Sequence, residues 1–159
     1  MMAMDNRKLI LGRLAQHVDE IHGFTKGLPE SQLAERPSPT KWSLKEIAMH
    51  LIDTQDVFVE RVTRILTEEN PTIVPFTPDK AQQEGAYLSA NLERRMNDFD
   101  VQRRNLFTIV RDISDAQWKR EGIHPDVKHY TVEKCLEALM RHEEHHLLQM
   151  FNVFFGVKS

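Results

Sequence analysis

Hydrophobic residues recur at helical spacing in four long segments of the chain. These segments run approximately over residues 6–24, 43–69, 88–112 and from 131 to near the end. No segment alternates apolar and polar residues over the length of a strand, so the sequence predicts no strand. The pattern therefore predicts an all-α protein in which four amphipathic helices bury their apolar faces against one another.

Local signals place the ends of these helices. Ser43 and Glu46 form a predicted capping box at the start of the second helix, and Ser114 and Gln117 form another on a short turn. A second short turn is expected after Pro29. The proline-rich connector 70–78 is stiff enough to cross the end of the bundle, and Gly85 is expected to separate a lead-in turn from the third helix. The prediction is a four-helix bundle with short extra helical turns, forming one domain over residues 1–159.

The inward row of the last helix is polar in its middle. At alternating spacings of three and four, the row contains Val132, Cys135, Leu139, His142, His146, Gln149 and Val153. A buried polar group without a partner costs roughly 1–3 kcal/mol in proteins. Two imidazoles one turn apart project to the same side of a helix, which suits them to binding one metal ion. The alternative is a pair of solvated histidines on a polar face.

His50 of the second helix is the candidate third ligand, since it borders the inward row of that helix. Alone it could also be a buried histidine satisfied by hydrogen bonds. Together with His142 and His146 it would form a site of three neutral nitrogens with an open coordination position, which is typical of catalytic zinc. Imidazole also binds nickel, iron and cobalt, and manganese remains open, so the sequence predicts one divalent ion without choosing it.

Composition and charge exclude other classes of function. The 159 residues carry a formal net charge of −3, and the basic residues are scattered among acids, which argues against nucleic-acid binding. No apolar run reaches membrane-spanning length and the start lacks a secretory pattern, so we expect a cytoplasmic protein that binds no membrane. Cys135 is the single cysteine, which excludes an intrachain disulfide.

The same residues carry a family resemblance. Trp42-Ser43, Glu46, His50-Leu51 and Asp53, followed by His142-x-x-x-His146-x-x-Gln149, resemble the DinB-like superfamily, also called the YfiT-like metal-dependent group. The resemblance implies a bundle with an up-down-down-up course, and a divalent metal bound by His50, His142 and His146. It also implies a homodimer. Members with assigned activities largely use low-molecular-weight thiols, as in transferases that join bacillithiol to an electrophile; many others have no known activity.

Further polar residues each have two interpretations. Asp53 could accept a hydrogen bond from a ligating imidazole, or it could be an exposed aspartate. Gln149 could bind a metal-bound water or substrate, or bond a neighbouring helix. Arg103 occupies an inward position, where it could bind an anionic cofactor or extend outward to solvent.

The remaining acids and histidines near the motif are assigned to structural roles. His17 is expected to be a packed core histidine, and His145 to lie on the surface. Glu143 and Glu144 fall off the inward row of the last helix, and Glu46 is expected to act only as the capping acid.

These features predict a metal-dependent thiol S-transferase, or a related metal-assisted hydrolase, that acts on small electrophiles. A metal with an open position would lower the pKa of a thiol or water bound there. The expected partners are a small-molecule substrate, a low-molecular-weight thiol as co-substrate and a second copy of the chain. The alternative is a non-catalytic metal-binding protein of the stress response.

Overall fold

The computed structural model describes residues 5–158, with residues 80–82 described by their backbone alone. The elements in chain order are α1 Asn6–Thr25, α2 Glu30–Leu33, α3 Leu44–Thr67, α4 Lys80–Ser89, α5 Leu92–Val110, α6 Asp115–Trp118, β1 Glu121–Gly122, β2 Tyr130–Thr131 and α7 Val132–Phe154. The four long helices α1, α3, α5 and α7 confirm the predicted bundle. Within the described part of the chain, no helix has the length and apolar character needed to cross a membrane.

Both predicted capping boxes are present. The Ser43 hydroxyl accepts from the backbone N–H of Glu46 at 3.2 Å, and the Glu46 carboxylate accepts from the backbone N–H of Ser43 at 3.1 Å. Ser114 and Gln117 make the same reciprocal pair at the start of α6. Each box satisfies two backbone donors that a helix start leaves unpaired. The first box therefore determines where α3 begins, six residues before His50.

The break before the third long helix lies elsewhere than predicted. Gly85 falls inside α4, and the chain turns at Ala90 and Asn91 instead. The reason is an N-cap that the sequence analysis did not use, since the Asn91 side chain accepts from the backbone N–H of Arg94 at 3.0 Å. Leu88, expected on the inward row, therefore belongs to α4 and is 39% exposed.

The prediction that the chain has no strand was wrong over four residues. Glu121 pairs with Thr131 and Gly122 with Tyr130 in a short antiparallel ladder that closes the loop before α7. Gly122 lets the ladder pack closely, because a Cβ at position 122 would lie 3.0 Å from the Ile73 side chain and 3.2 Å from that of Ile65. A two-residue strand is too short to show an alternating pattern, so periodicity could not reveal it.

Contacts between helix ends give the direction of three long helices. α1 and α7 run parallel, because Phe24 and Phe151, near their C-terminal ends, meet with ring centroids 6.5 Å apart. α3 runs antiparallel to α7, because His50 near the start of α3 contacts His142 near the middle of α7, whereas Ile65 near the end of α3 shares an apolar cluster with Val132 at the start of α7. If α1 points up, α3 points down and α7 points up.

The fourth long helix runs parallel to α3. Leu44 and Leu92, the first residues of α3 and α5, belong to one apolar cluster, whereas Ile65 and Val110, near the ends of the same helices, belong to the other. The course is therefore up-down-down-up, as the resemblance implied. The connector and α4 make the return passage from the end of α3 to the start of α5.

A layer of polar side chains separates the two apolar clusters. The cluster at one end packs the first halves of α1 and α7 against the second halves of α3 and α5, and the other cluster packs the opposite halves. The buried polar residues between them are His17, Thr54, Gln55, Arg103 and Glu143. Buried polar groups must find partners inside the protein, so this layer constrains how the four helices align.

Arg103 and Glu143 form a buried ion pair at the centre of that layer. Arg103 also donates to the backbone oxygen of Leu14 at 2.6 Å and to the Gln55 side chain, while Glu143 accepts from Nδ1 of His17 at 3.0 Å. Arg103 is 2% exposed and Glu143 is fully buried. Arg103 therefore neither extends to solvent nor is free for a cofactor anion, and both predictions for it were wrong.

Glu143 lies off the inward row of α7, as predicted, but it is buried nonetheless. α7 contacts α3 on one face and α1 on another, so a residue off the row facing α3 is still buried, here against α1. His17 is buried as predicted, at 1% exposure.

We expect Arg103→Met to lower the free energy of unfolding by about 3–5 kcal/mol, because it leaves the Glu143 carboxylate buried without its cation. Urea denaturation of the metal-free protein measures the loss. Arg104→Met, at the exposed neighbouring position, is the matched control and should change little. The double variant Arg103→Met/Glu143→Met should be more stable than Arg103→Met alone; a lower stability would contradict the ion-pair explanation.

Candidate metal centre

Three imidazoles converge between α3 and α7. His50 lies in the second turn of α3, and His142 and His146 lie one turn apart on α7. Nε2 of His50 is 3.0 Å from Nε2 of His142, and the ring centroid of His146 lies 4.7 Å from that of His50 and 4.5 Å from that of His142. One nitrogen from each ring lies within 4.8 Å of the other two. The structure therefore brings together all three histidines that the sequence analysis selected.

The donor set and its spacing fit a divalent metal ion. Nitrogens that share an ion at a metal–nitrogen distance of about 2.0–2.1 Å stand roughly 3.0–3.4 Å apart, which matches the His50–His142 separation. Nδ1 of His50 and Nδ1 of His142 are buried and have no hydrogen-bond partner among the described residues. Each of these two rings thus has one nitrogen to which the described residues offer no hydrogen bond.

Gln149 orients the third ring. Its side-chain oxygen lies 2.8 Å from Nδ1 of His146, and a carbonyl oxygen can only accept, so Nδ1 carries the proton. The lone pair of His146 is then on Nε2. Gln149 therefore bonds to a ring of its own helix. This bond explains its position without the predicted bond to a neighbouring helix, and without a direct role at a water molecule or substrate. A hydrogen bond of this kind also raises the basicity of a ligating imidazole.

Burial keeps the three rings neutral. It lowers the pKa of His50 to about 4, with a further contribution from neighbouring His146. Burial likewise lowers the pKa of His142 to about 3, with smaller contributions from the three surrounding histidines. The pKa of His146 is lowered by burial and by His145, and raised in part by its bond to Gln149. Neutral imidazole is the form that binds metals, so the site needs to release no proton near neutral pH.

The hydrogen bonds of Asp53 go to Tyr87 and Arg95, so the first of its two interpretations, orienting a ligating imidazole, was wrong. Its carboxylate accepts from the hydroxyl of Tyr87 at 2.9 Å and contacts the Arg95 guanidinium at 3.5 Å. Residue 53 is almost one turn beyond His50, but the Asp53 side chain points to α4 and α5. The partner that decides its role lies in a different helix, which spacing along α3 could not show.

Trp42 packs beside the site, a role that the sequence analysis did not give it, since it named Trp42 only as part of the family resemblance. Its ring lies 5.2 Å from the ring of His50 and 6.1 Å from that of Tyr87, and its Nε1 donates to Glu84 at 3.2 Å. The available signal was its place eight residues before His50, next to the residue that caps α3.

A cavity of about 1030 Å³ lies near the metal centre, although none of the three histidines lines it. It lies between residues 32–44 and residues 145–158, and two of its lining residues, Trp42 and Gln149, contact histidines of the site. His145 also lines it; this side chain is exposed, as predicted, and meets His146 edge to face with ring centroids 4.9 Å apart. The site therefore has space beside it for a small molecule.

A sequence model of the DinB superfamily matches residues 13–150, a span that contains every histidine of the site. The chain belongs to the DinB superfamily. The matched span runs from within α1 to within α7.

Relatives in the DinB superfamily include proteins with metal-related names. The chain is 27% identical to the uncharacterized protein YuaE of Bacillus subtilis, over 79% of this chain and 85% of YuaE. It is 26% identical to a protein of the same organism named "Putative metal-dependent hydrolase YfiT", over 76% of this chain and 68% of YfiT. A protein of Oceanobacillus iheyensis, OB0413, has the same descriptive name and is 22% identical over 86% of this chain and 79% of its own length.

A solved DinB-superfamily structure has the same fold. It is described as "YfiT from Bacillus subtilis is a probable metal-dependent hydrolase with an unusual four-helix bundle topology". The TM-score is 0.83 at 22% identity, covering 96% of this chain and 88% of the other. The match confirms the predicted four-helix bundle.

The lowered pKa values of His50 and His142 predict how the metal-free protein responds to acid. Below about pH 6.5 the unfolded chain takes up protons on both histidines, whereas the folded protein does not until about pH 3–4. Above about pH 6.5 this difference in protonation costs the folded state nothing. As the pH falls towards 4, the free energy of unfolding decreases. Urea denaturation in the presence of a chelator should show this decline.

His142→Leu should flatten the same pH dependence, because it removes one of the histidines whose pKa is lowered in the folded state. His145→Leu, at the exposed neighbouring ring, is the matched control. Equal slopes for wild type and His142→Leu would contradict the explanation by buried neutral imidazoles.

Proposed function

We propose that His50, His142 and His146 bind one divalent metal ion, and that the protein is a metal-dependent enzyme acting on small electrophilic substrates. The observation that carries the proposal is the convergence of three partly buried imidazoles, near a cavity that two residues in contact with them, Trp42 and Gln149, help to line. The names of the relatives support it, since two of them are called metal-dependent hydrolases. Buried polar rings of this kind would otherwise destabilise the bundle.

The ligand set suits activation of a nucleophile. Three neutral ligands cancel none of the charge of the ion, in contrast to carboxylate or thiolate ligands. A divalent ion bound there would supply Lewis acidity that lowers the pKa of a water molecule or a thiol. Imidazole suits zinc, nickel, iron and cobalt, and manganese is the weakest binder of the candidates.

The chain's own residues orient and enclose the site. Gln149 fixes the proton of His146 on Nδ1, and Trp42 covers the ring of His50. Leu148 and Val153 provide apolar surface in the nearby cavity, which would hold the carbon skeleton of a substrate. The exposed side chain of His145 gives this cavity a polar edge that faces solvent.

Two nucleophiles are consistent with this site. Water would make the protein a hydrolase, in agreement with the names of the relatives. A low-molecular-weight thiol would make it an S-transferase, and the size of the nearby cavity supports this reading, because about 1030 Å³ leaves room for a thiol and an electrophile together. We propose thiol S-transfer as the reaction to test first, with metal-assisted hydrolysis measured beside it.

We expect the protein, purified without an affinity tag, to bind one divalent ion per chain in elemental analysis. His146→Ala should abolish tight binding, whereas His145→Ala should not. Gln149→Leu should weaken binding about tenfold, because an unsupported ring is a poorer ligand, and Gln149→Glu should restore it by keeping the acceptor. Equal affinities of Gln149→Leu and wild type would contradict the orienting role.

Activity is tested by consumption of monochlorobimane with several low-molecular-weight thiols, and by hydrolysis of a chromogenic ester, each with zinc, nickel or manganese. We expect turnover that depends on the metal, is lost in His146→Ala and is retained in His145→Ala. Circular dichroism should show that both variants remain folded. A protein that binds one metal tightly yet turns over no thiol or ester would instead be the non-catalytic metal-binding module.

A further inference from the structure

The rings of the metal centre differ in what orients them. Gln149 bonds to Nδ1 of His146, and such a partner at the nitrogen that faces away from the ion is usual for a ligating imidazole. His50 turns Nε2 towards His142, at 3.0 Å, which leaves its Nδ1 as the nitrogen that faces away. This Nδ1 is buried, and the described residues offer it no hydrogen bond. The orientation of the His50 ring therefore depends on packing.

The indole of Trp42 packs against the His50 ring from outside the ligand set. The two ring centroids are 5.2 Å apart, and the ring planes meet at 58°. Within the described part of the chain, the other aromatic rings in contact with His50 are those of His142 and His146, which are proposed ligands themselves. Trp42 thus occupies the place at His50 that a hydrogen-bond partner takes at His146.

Glu84 of α4 holds the indole in turn. Nε1 of Trp42 donates to Oε1 of Glu84 at 3.2 Å, and the indole meets Tyr87 edge to face with ring centroids 6.1 Å apart. Glu84 and Tyr87 are three residues apart on one helix, so their side chains lie on the same face. α4 supplies no histidine to the site, yet it contacts the ring that packs on a proposed ligand.

Arg36 contacts the other oxygen of the Glu84 carboxylate. Its guanidinium lies 3.4 Å from Oε2 of Glu84, and both side chains are partly exposed. Arg36 also donates from Nε to the buried carboxylate of Glu46 at 2.8 Å. The expectation that Glu46 acts only as the capping acid was therefore wrong. Because Glu46 keeps Arg36 paired, a substitution at Glu84 removes a contact of the indole without leaving a cation unpaired.

We propose that Glu84 is a positioning residue of the metal centre and that it acts through Trp42. By accepting the indole N–H, Glu84 keeps the indole packed on His50, and the packed indole keeps Nε2 of His50 turned towards the ion. Without this hydrogen bond the indole and the imidazole turn more freely, and a less ordered ring is a poorer ligand. The inference rests on the metal centre proposed above, and it extends that site to a helix outside the four long ones.

Cobalt(II) titration of variants separates this role from a direct attraction between charges. Glu84→Leu removes the acceptor and the charge, whereas Glu84→Gln removes the charge and keeps an acceptor oxygen. We expect Glu84→Leu to weaken cobalt binding about tenfold, the lower end of the loss seen for partners of metal ligands. Glu84→Gln should stay within about twofold of the wild type, because a partly exposed charge contributes little. Equal losses in both variants would assign the effect to charge and overturn the proposal. Glu93→Leu, at an exposed acid of α5, is the matched control and should have no effect.

A double-mutant cycle tests whether Glu84 acts through the indole. Trp42→Phe keeps an aromatic ring beside His50 and removes the N–H, so it should weaken cobalt binding about as much as Glu84→Leu. Adding Glu84→Leu to Trp42→Phe should weaken binding no further, because the hydrogen bond is already absent. Losses that add in the double variant would show that Glu84 acts independently of Trp42 and would refute the proposal. Wild-type affinity in Trp42→Phe would refute it by itself, so the test does not depend on the folding of Glu84→Leu.

Fluorine NMR of protein containing fluorinated tryptophan distinguishes a failure of this inference from a failure of the metal centre. The chain has two tryptophans, and Trp118 belongs to the apolar cluster at the far end of the bundle. Paramagnetic cobalt should broaden the Trp42 resonance and leave that of Trp118 sharp. In the metal-free protein, Glu84→Leu should shift the Trp42 resonance alone, and an unchanged spectrum would overturn the proposal. Broadening of neither resonance by cobalt would contradict the metal centre, and the inference with it. Broadening of Trp42 together with wild-type affinity in Glu84→Leu would overturn the inference alone.

Discussion

The fold depends on how polar side chains are accommodated in the middle of the bundle. Two apolar clusters fill its ends, and between them lies a layer of groups that water does not reach. Each such group must find a partner or destabilise the folded state. On the α1 face of α7 the partners are charges, with Glu143 between Arg103 and His17. On the α3 face the partners are three imidazoles, two of which have a ring nitrogen without a hydrogen bond.

The imidazoles on these two faces of α7 have different surroundings. Burial lowers the pKa of His50 and of His142, which keeps these rings neutral and able to bind a cation. Nδ1 of His17, on α1, instead lies 3.0 Å from the Glu143 carboxylate, which is paired with Arg103. One helix, α7, thereby contributes two imidazoles to one site and a carboxylate to the other. Adjacent residues in its sequence serve different sites because successive side chains are about 100° apart.

Much of the site could be predicted because its signals are local. The capping boxes, the positions of His142 and His146 one turn apart, and the polar interruption of an apolar row depend on residues within a few positions of one another. The errors concern longer distances. Arg103 and Glu143 are 40 residues apart and meet only when α5 and α7 pack, and Asp53 found partners in α4 and α5 rather than on its own helix. The signal for the helix break at Asn91 is also local. It was missed because the break was placed at Gly85, where the structure leaves space for a larger side chain.

The sequence by itself determined the number of long helices, where α3 begins, and which three histidines face the interior, since helix periodicity and capping are properties of short segments. Only the tertiary structure decided that the three rings converge. This requires α3 to run antiparallel to α7, with His50 at the same level along the bundle as His142 and His146. It also decided which charges are buried, since a helix with neighbours on two faces hides residues that its main apolar row does not include. Burial is a property of the assembled bundle, and no spacing along one helix encodes it.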